Sequence, residues 1–291
     1  MAALLGLASV AAQAASPAFT GLYIFGDSYC DVGNIFTATS HAEPAPPYYN
    51  GRFSNGPLWV DHVAGYLGLP ALQPSLLGGT DFAFGGAQVT APVTTPQGTI
   101  PSVPQQVALY LKAAGGKADP HALYILEGGG DDILNATSGS PEELGYQIAL
   151  GIAESELLLR EAGARHFLIP NLFNVGLLPA TQANAAFATA ASAAANRSLN
   201  TLLAFEGLLE DVHIVRLDVF SLLNAVQTDP THFGFTNITA PCTTVPTPLN
   251  PTPPVCTDPD HTFFWDAEHP TEFGHAFFAV TVENTFATQS W

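Results

Sequence analysis

The chain has 291 residues and a formal net charge of −18, with 47% hydrophobic and 11% charged residues. Seven lysines and arginines cannot build the basic patch that gains from counterion release, which excludes a nucleic-acid partner. The acidity is dispersed and reads as a solubilising surface, while the apolar content and the length suit one undivided α/β domain.

The first segment, "MAALLGLASVAAQAA", is small and apolar and passes through Ala12-Gln13-Ala14. It resembles the apolar region and A-x-A cleavage site of a secretory signal, shortened at its start because the basic leading region is missing. The expected organisation is a signal peptide over 1–14 and a single domain over 15–291. No later apolar run reaches the roughly 18–20 residues that span a bilayer, so an exported protein without stable membrane insertion is expected, secreted or periplasmic. Nothing in the sequence bears on oligomeric state.

Strands then alternate with helices. "GLYIFGDS" is a short apolar run ending in Gly-Asp-Ser, as a buried parallel strand should. "GPLWVDHVAGYLG" predicts a helix with Pro57 near its start, and "TDFAFGGAQV" a strand broken by glycines. "SVPQQVALYLKAAGG" predicts a helix stopped by Gly115. Strand "HALYILEGGG", helix "SPEELGYQIALGIAESELLLREAG" and strand "RHFLIPNL" follow. The Ala-rich stretch Pro179 to Leu209 predicts a helix, "VHIVRLDVF" a strand, and "TEFGHAFFAVTVENTFA" the last helix. This alternation implies right-handed βαβ units and a parallel sheet covered on both faces. Three glycine turns, Gly26 to Ser28, Gly85-Gly86 and Gly128 to Gly130, fall at strand carboxyl ends, where such sheets bind ligands.

Cys242 and Cys256 bracket a Pro/Thr-rich loop and form a candidate disulfide. Cys30 is left over, as a buried small hydrophobe. Ser28 sits where a side chain projects from the sheet edge; it is a candidate nucleophile or a helix cap. A nucleophilic serine needs a histidine base held by an acid. Three pairs have D-x-x-H spacing: Asp229/His232, Asp258/His261 and Asp266/His269. The first two lie in the Pro-rich segment, where Asx turns explain them. The third, in "FFWDAEHPTEFGH", has aromatic flanks able to desolvate it and is the preferred pair. Tyr48, Tyr49, Phe53 and Trp59 are candidates for pocket lining or for core. The adjacent acids Asp131 and Asp132 have no further ligands in a recognisable spacing, and neither G-x-G-x-x-G nor a P-loop lysine occurs, so neither metal nor cofactor is expected.

"FGDSYCDVGN", "FAFGGAQV", "GGGDD" and "FWDAEHPT" together, in this order, resemble the four signature blocks of the GDSL-type SGNH hydrolases. "YYNGRFSNGPLWVDHVA", "NLFNVGLLP" and "FGFTNITAPC" extend the resemblance to the family's secreted branch. It implies a flavodoxin-like three-layer α/β/α sandwich hydrolysing carboxylic esters of lipid, choline or simple acyl type through a serine acyl-enzyme. On matching positions Ser28 is the nucleophile and one oxyanion donor, and Gly86, or its neighbour Gly85, a second. His269 is the general base and then acid, and Asp266 orients it. Asp27, Asp31 and Asn34 shape the first loop. The family's third block reads G-x-N-D, with the Asn amide as third oxyanion donor, but here Asp131 stands at that position. An ionised carboxylate only accepts hydrogen bonds and would repel an oxyanion. Three accounts stay open: a protonated Asp131 that donates, an impaired enzyme, or a shifted loop with another donor. The alternative to an active enzyme is a binding or surface protein built on the same fold.

Overall fold

The computed structural model describes residues 19–204 and 211–288. The expected signal segment 1–14 lies outside the described residues.

The first strand, β1 (Leu22–Phe25), runs into the loop carrying Ser28 and the short helix α1 (Asn34–Ala38). Helix α2 (Trp59–Tyr66) follows, then a hairpin of β2 (Val93–Thr95) and β3 (Gly98–Ile100), and α3 (Val103–Ala113). Next come β4 (Leu123–Leu126), the short α4 (Gly130–Leu134), α5 (Pro141–Glu161), β5 (His166–Pro170) and α6 (Ala185–Leu203). The chain closes with β6 (His213–Leu217), α7 (Val219–Thr228) and α8 (Glu272–Thr288).

Strands β1, β4, β5 and β6 form one parallel sheet in that order, with Leu22 opposite Leu123, Leu123 opposite His166 and His166 opposite His213. β1 and β4 are apolar at every position, as strands covered on both faces must be. Helices α3, α5 and α6 pack in series, and α2 packs with α8, which gives the α/β/α layering. Helix starts follow local chemistry. Ser102 and Gln105 form a capping box at α3, and the Ser140 hydroxyl accepts from the Glu143 N–H at 3.1 Å ahead of Pro141 in α5.

Three expectations change. The strand expected at "TDFAFGGAQV" is reduced to an edge segment bridging β1 at Ile24 and Asp81, with Phe82 N–H donating to Ile24 O and Phe84 N–H to Gly26 O. The glycine pair at 85–86 turns the chain away before a ladder extends. The helix expected from Pro179 begins only at Ala185, because Pro179–Thr181 is a single 3-10 turn. "VHIVRLDVF" is strand only to Leu217: Asp218 accepts from Ser221 N–H at 3.0 Å and caps α7, absent from the sequence reading. The hairpin β2–β3 is a further addition.

Cys242 and Cys256 are disulfide-bonded, and Cys30 is free and buried. Among the described residues no helix is long and apolar enough to cross a membrane.

Candidate active site

The three glycine turns meet at the carboxyl edge of the sheet. Buried Gln106 of α3 clamps the first one, accepting from Gly26 N–H and donating to Gly26 O, both at 2.9 Å. Asp31, also buried, ties this loop to the second turn: its carboxylate accepts from the N–H groups of Gly33, Ile35 and Gly85. Asn34 donates to Asp81 O and Ala83 O. In the third turn Gly129 sits at φ +112°, and a Cβ there would come within 2.6 Å of Ile148, so only glycine fits.

On this frame Ser28 Oγ lies 2.9 Å from His269 Nε2. His269 Nδ1 lies 2.9 and 2.8 Å from the two oxygens of Asp266. Asp266 Oδ1 also accepts from the backbone N–H of Glu268 and of His269, each at 2.8 Å, which locks the turn before α8. Tyr48 donates its hydroxyl to Asp266 Oδ2. Phe53 stacks on the His269 ring with centroids 5.2 Å apart. All three members of the chain, Ser28, His269 and Asp266, are buried.

Burial alone would raise the Asp266 carboxyl, but the His269 charge and the donors around it outweigh that and hold it at about 2. Burial works against a charged His269, yet Asp266, Glu268 and Asp131 raise it to about 9.

The Ser28 and Gly86 N–H groups have no hydrogen-bond partner among the described residues, whereas Gly85 N–H is already bonded to Asp31. This favours Gly86 over Gly85 as the free donor. Gly86 is at φ +79° and lines the same cavity of about 300 Å³ as Ser28, Asp131 and His269. A second cavity of about 460 Å³ lies on the far side of His269 and Phe53, walled by Tyr48, Ala45 and Pro246. The two meet at Phe53, Glu268 and His269.

Asp131, at the start of α4, is half-buried beside this constellation. Its side chain receives no hydrogen bond among the described residues. Burial, and then the negative charges of Asp27, Glu268 and Asp132, push its carboxyl well above the usual range, with only His269 pulling it down. Asp132 differs completely: it accepts from Val89 N–H, Thr90 N–H and the Thr90 hydroxyl, a structural anchor.

The sequence reading missed Gln106 and Glu127, and it named Tyr48 only as a lining or core candidate, without its hydrogen bond to Asp266. Gln106 and Tyr48 reach the site over 80 and 218 residues of chain, which no local pattern encodes. Glu127, at the end of β4, hydrogen-bonds the Asp27 carboxyl beneath Ser28, and Cys30 Sγ lies 3.6 Å from it. Burial is the main cause that raises both acids, Asp27 to about 6 and Glu127 well above its usual range. A glutamate closing an otherwise apolar strand was the signal available. Of the four aromatics, Tyr48 and Phe53 line the site, Trp59 is core, and Tyr49 is exposed. The other two D-x-x-H pairs are structural or peripheral. Asp229 caps a turn by accepting from His232 N–H, and the exposed Asp258 and His261 pair at 2.8 Å away from Ser28. Among the described residues no group of three or more His, Cys, Asp or Glu could hold a metal ion.

A family model described as GDSL-like Lipase/Acylhydrolase matches residues 22–281. The chain is 26% identical over 270 residues to a thermolabile hemolysin of Vibrio parahaemolyticus, covering 87% of this chain and 60% of the relative. It is 28% identical over 244 residues to a phosphatidylcholine-sterol acyltransferase of Aeromonas hydrophila, covering 82% and 70%. To acetylajmalan esterase 2 of Rauvolfia serpentina it is 26% identical over 316 residues, covering 88% and 87%. The chain thus spans little more than half the length of the hemolysin it matches.

Proposed function

Because this chain belongs to the GDSL-like lipase/acylhydrolase family, we propose that it is a serine ester hydrolase working through an acyl-enzyme. The observation that carries this reading is the continuous hydrogen-bonded chain Ser28–His269–Asp266. Ser28 Oγ attacks the ester carbonyl carbon while its proton passes to His269 Nε2. Asp266 holds the ring and balances the imidazolium. The tetrahedral oxyanion is received by the Ser28 and Gly86 N–H groups. His269 then returns the proton to the leaving alcohol, and the C–O bond breaks. A water attacks the acyl-enzyme with His269 again as base. As the bond from the acyl carbon to Ser28 Oγ breaks, His269 returns that proton to Oγ and the carboxylic acid departs.

Asp131 takes part as a neutral acid. No hydrogen-bond donor stabilises its ionised form, while burial first, and then Asp27 and Glu268, disfavour it against the pull of His269. A protonated carboxyl can donate to an oxyanion, as in an unrelated isomerase. The productive state needs a proton on Asp131 and none on His269. The opposite arrangement, imidazolium beside carboxylate, contains the same number of protons. The two forms therefore keep a fixed ratio across pH, and activity follows the singly protonated pair.

The cavities either side of His269 suit an acyl chain and an alcohol, in keeping with the phosphatidylcholine and the acetyl ester in the relatives' names. The disulfide and the signal-like first segment support secretion. A fluorophosphonate probe should label wild type and leave Ser28→Ala unlabelled. Absence of labelling on folded wild-type protein at every pH would favour the rival reading, an inactive binding protein, whose support is Asp131 alone.

A further inference from the structure

Between Asp229 and Asp258 the chain has no acidic, lysine or arginine residue, although the whole carries −18. The disulfide closes the middle of this uncharged stretch into a loop. Its base is fixed: Cys242 N–H donates to Phe264 O at 3.0 Å, Thr243 N–H to Trp265 O at 2.8 Å, and Cys256 N–H to Cys242 O at 2.8 Å. Phe264 and Trp265 lead directly into Asp266, so the loop is held in register with the site. Its tip is a tight turn in which Thr247 and Asn250 exchange two backbone hydrogen bonds of 3.0 Å. Pro248 and Leu249 form the crown, and Leu249 is 98% exposed. Val245, 61% exposed, stands on the flank of the loop, where it also walls the cavity beside His269.

A lone exposed leucine is ordinary, but here Leu249 and Val245 are exposed on one uncharged turn whose Pro246, Pro248 and Pro251 wall the cavity. An apolar cluster at the rim of a site marks an interaction surface. We propose that the Leu249 crown inserts into the surface of aggregated ester substrate and seats the cavity mouth on that surface. The occupant is an uncharged or zwitterionic lipid layer. An anionic layer is opposed by the chain's charge, while a loop with no charge of its own loses no ion solvation on entering the acyl boundary. This rests on the ester hydrolase reading, but adsorption can be measured without catalysis, so the two can fail separately.

The test floats the full chain bearing Ser28→Ala with phosphatidylcholine vesicles. Binding is expected, and added phosphatidylserine should weaken it. Leu249→Ser should reduce the bound fraction roughly tenfold or more, as burial of one leucine implies, and Leu249→Phe should retain it. With Ser28 restored, Leu249→Ser should hydrolyse a soluble p-nitrophenyl ester at the wild-type rate and emulsified ester at least several-fold more slowly. The proposal is overturned if vesicles are not bound, if Leu249→Ser binds as well as its parent, or if Leu249 instead mediates self-association seen by gel filtration.

Discussion

The hydroxyl of Tyr48 and Nδ1 of His269 meet on the same carboxylate oxygen, Oδ2 of Asp266. Tyr48 comes from a loop far upstream and is buried against Trp265. It supplies a donor that keeps Asp266 ionised and aimed at the imidazole. A hydrogen bond to a charged group contributes about 1.5–3 kcal/mol. Tyr48→Phe should therefore lower kcat about tenfold, with little change in KM, because the phenol touches Asp266 rather than the reacting atoms. Steady-state kinetics on a short soluble ester check this. A change confined to KM would assign Tyr48 to substrate binding instead.

The Asp27–Glu127 pair leads to a second expectation. Two hydrogen-bonded carboxyls cannot both ionise, so the native state keeps a proton that the unfolded chain releases above its ordinary carboxyl range. Such a raised group costs stability as pH climbs. Glu127→Gln removes the need for that proton, and the melting temperature should rise by a few degrees at pH 8 and change little at pH 5. Equal shifts at both pH values would mean that packing, not ionisation, governs the position.

Stability as a whole should fall between pH 7 and 9. Burial raises Glu127, Asp81 and Asp131 well above the usual range, so the native state binds more protons than the unfolded state and the slope is negative. His269 acts in the same direction: its charged form is favoured, and that contribution, complete below about 6.5, is lost as pH rises through about 9. Thermal melts across the range test this, and a melting temperature constant or rising from pH 7 to 9 would contradict it.

The disulfide closes a loop of 14 residues' separation whose base is bonded to Phe264 and Trp265, the segment leading into Asp266. Cys256→Ser should cost about 3 kcal/mol of stability in the chain-entropy view. Chemical unfolding under non-reducing conditions measures it.

Much of this site was legible because its chemistry lies in short blocks at strand ends. A serine after an apolar strand, glycines where the backbone must turn, and a histidine three residues after an aspartate all announce themselves locally. Asp132 and Asp131 look alike in sequence, and only the donors from Val89 and Thr90 separate an anchor from an acid without partners. The Gln106 clamp and the Tyr48 donor join residues far apart in the chain, so no periodicity reveals them. The edge segment at Asp81 falls short of a full strand because the Gly85-Gly86 turn ends it, whereas the helix from Val219 was misread for a different reason. Short apolar runs fit strand and helix alike until capping is weighed, and Asp218 was the cap to notice.

The most direct test of the account is the pH–rate profile for a soluble p-nitrophenyl ester, wild type against Asp131→Asn. If a neutral Asp131 donates to the oxyanion, wild type gives a bell, limited on the acid side by protonation of His269 and on the alkaline side by ionisation of Asp131. The amide donates at every pH, so Asp131→Asn should lose the alkaline limb and exceed wild type there by an order of magnitude or more. An alkaline limb that survives in Asp131→Asn, or a wild-type rate that climbs through alkaline pH without falling, would contradict the assignment of Asp131.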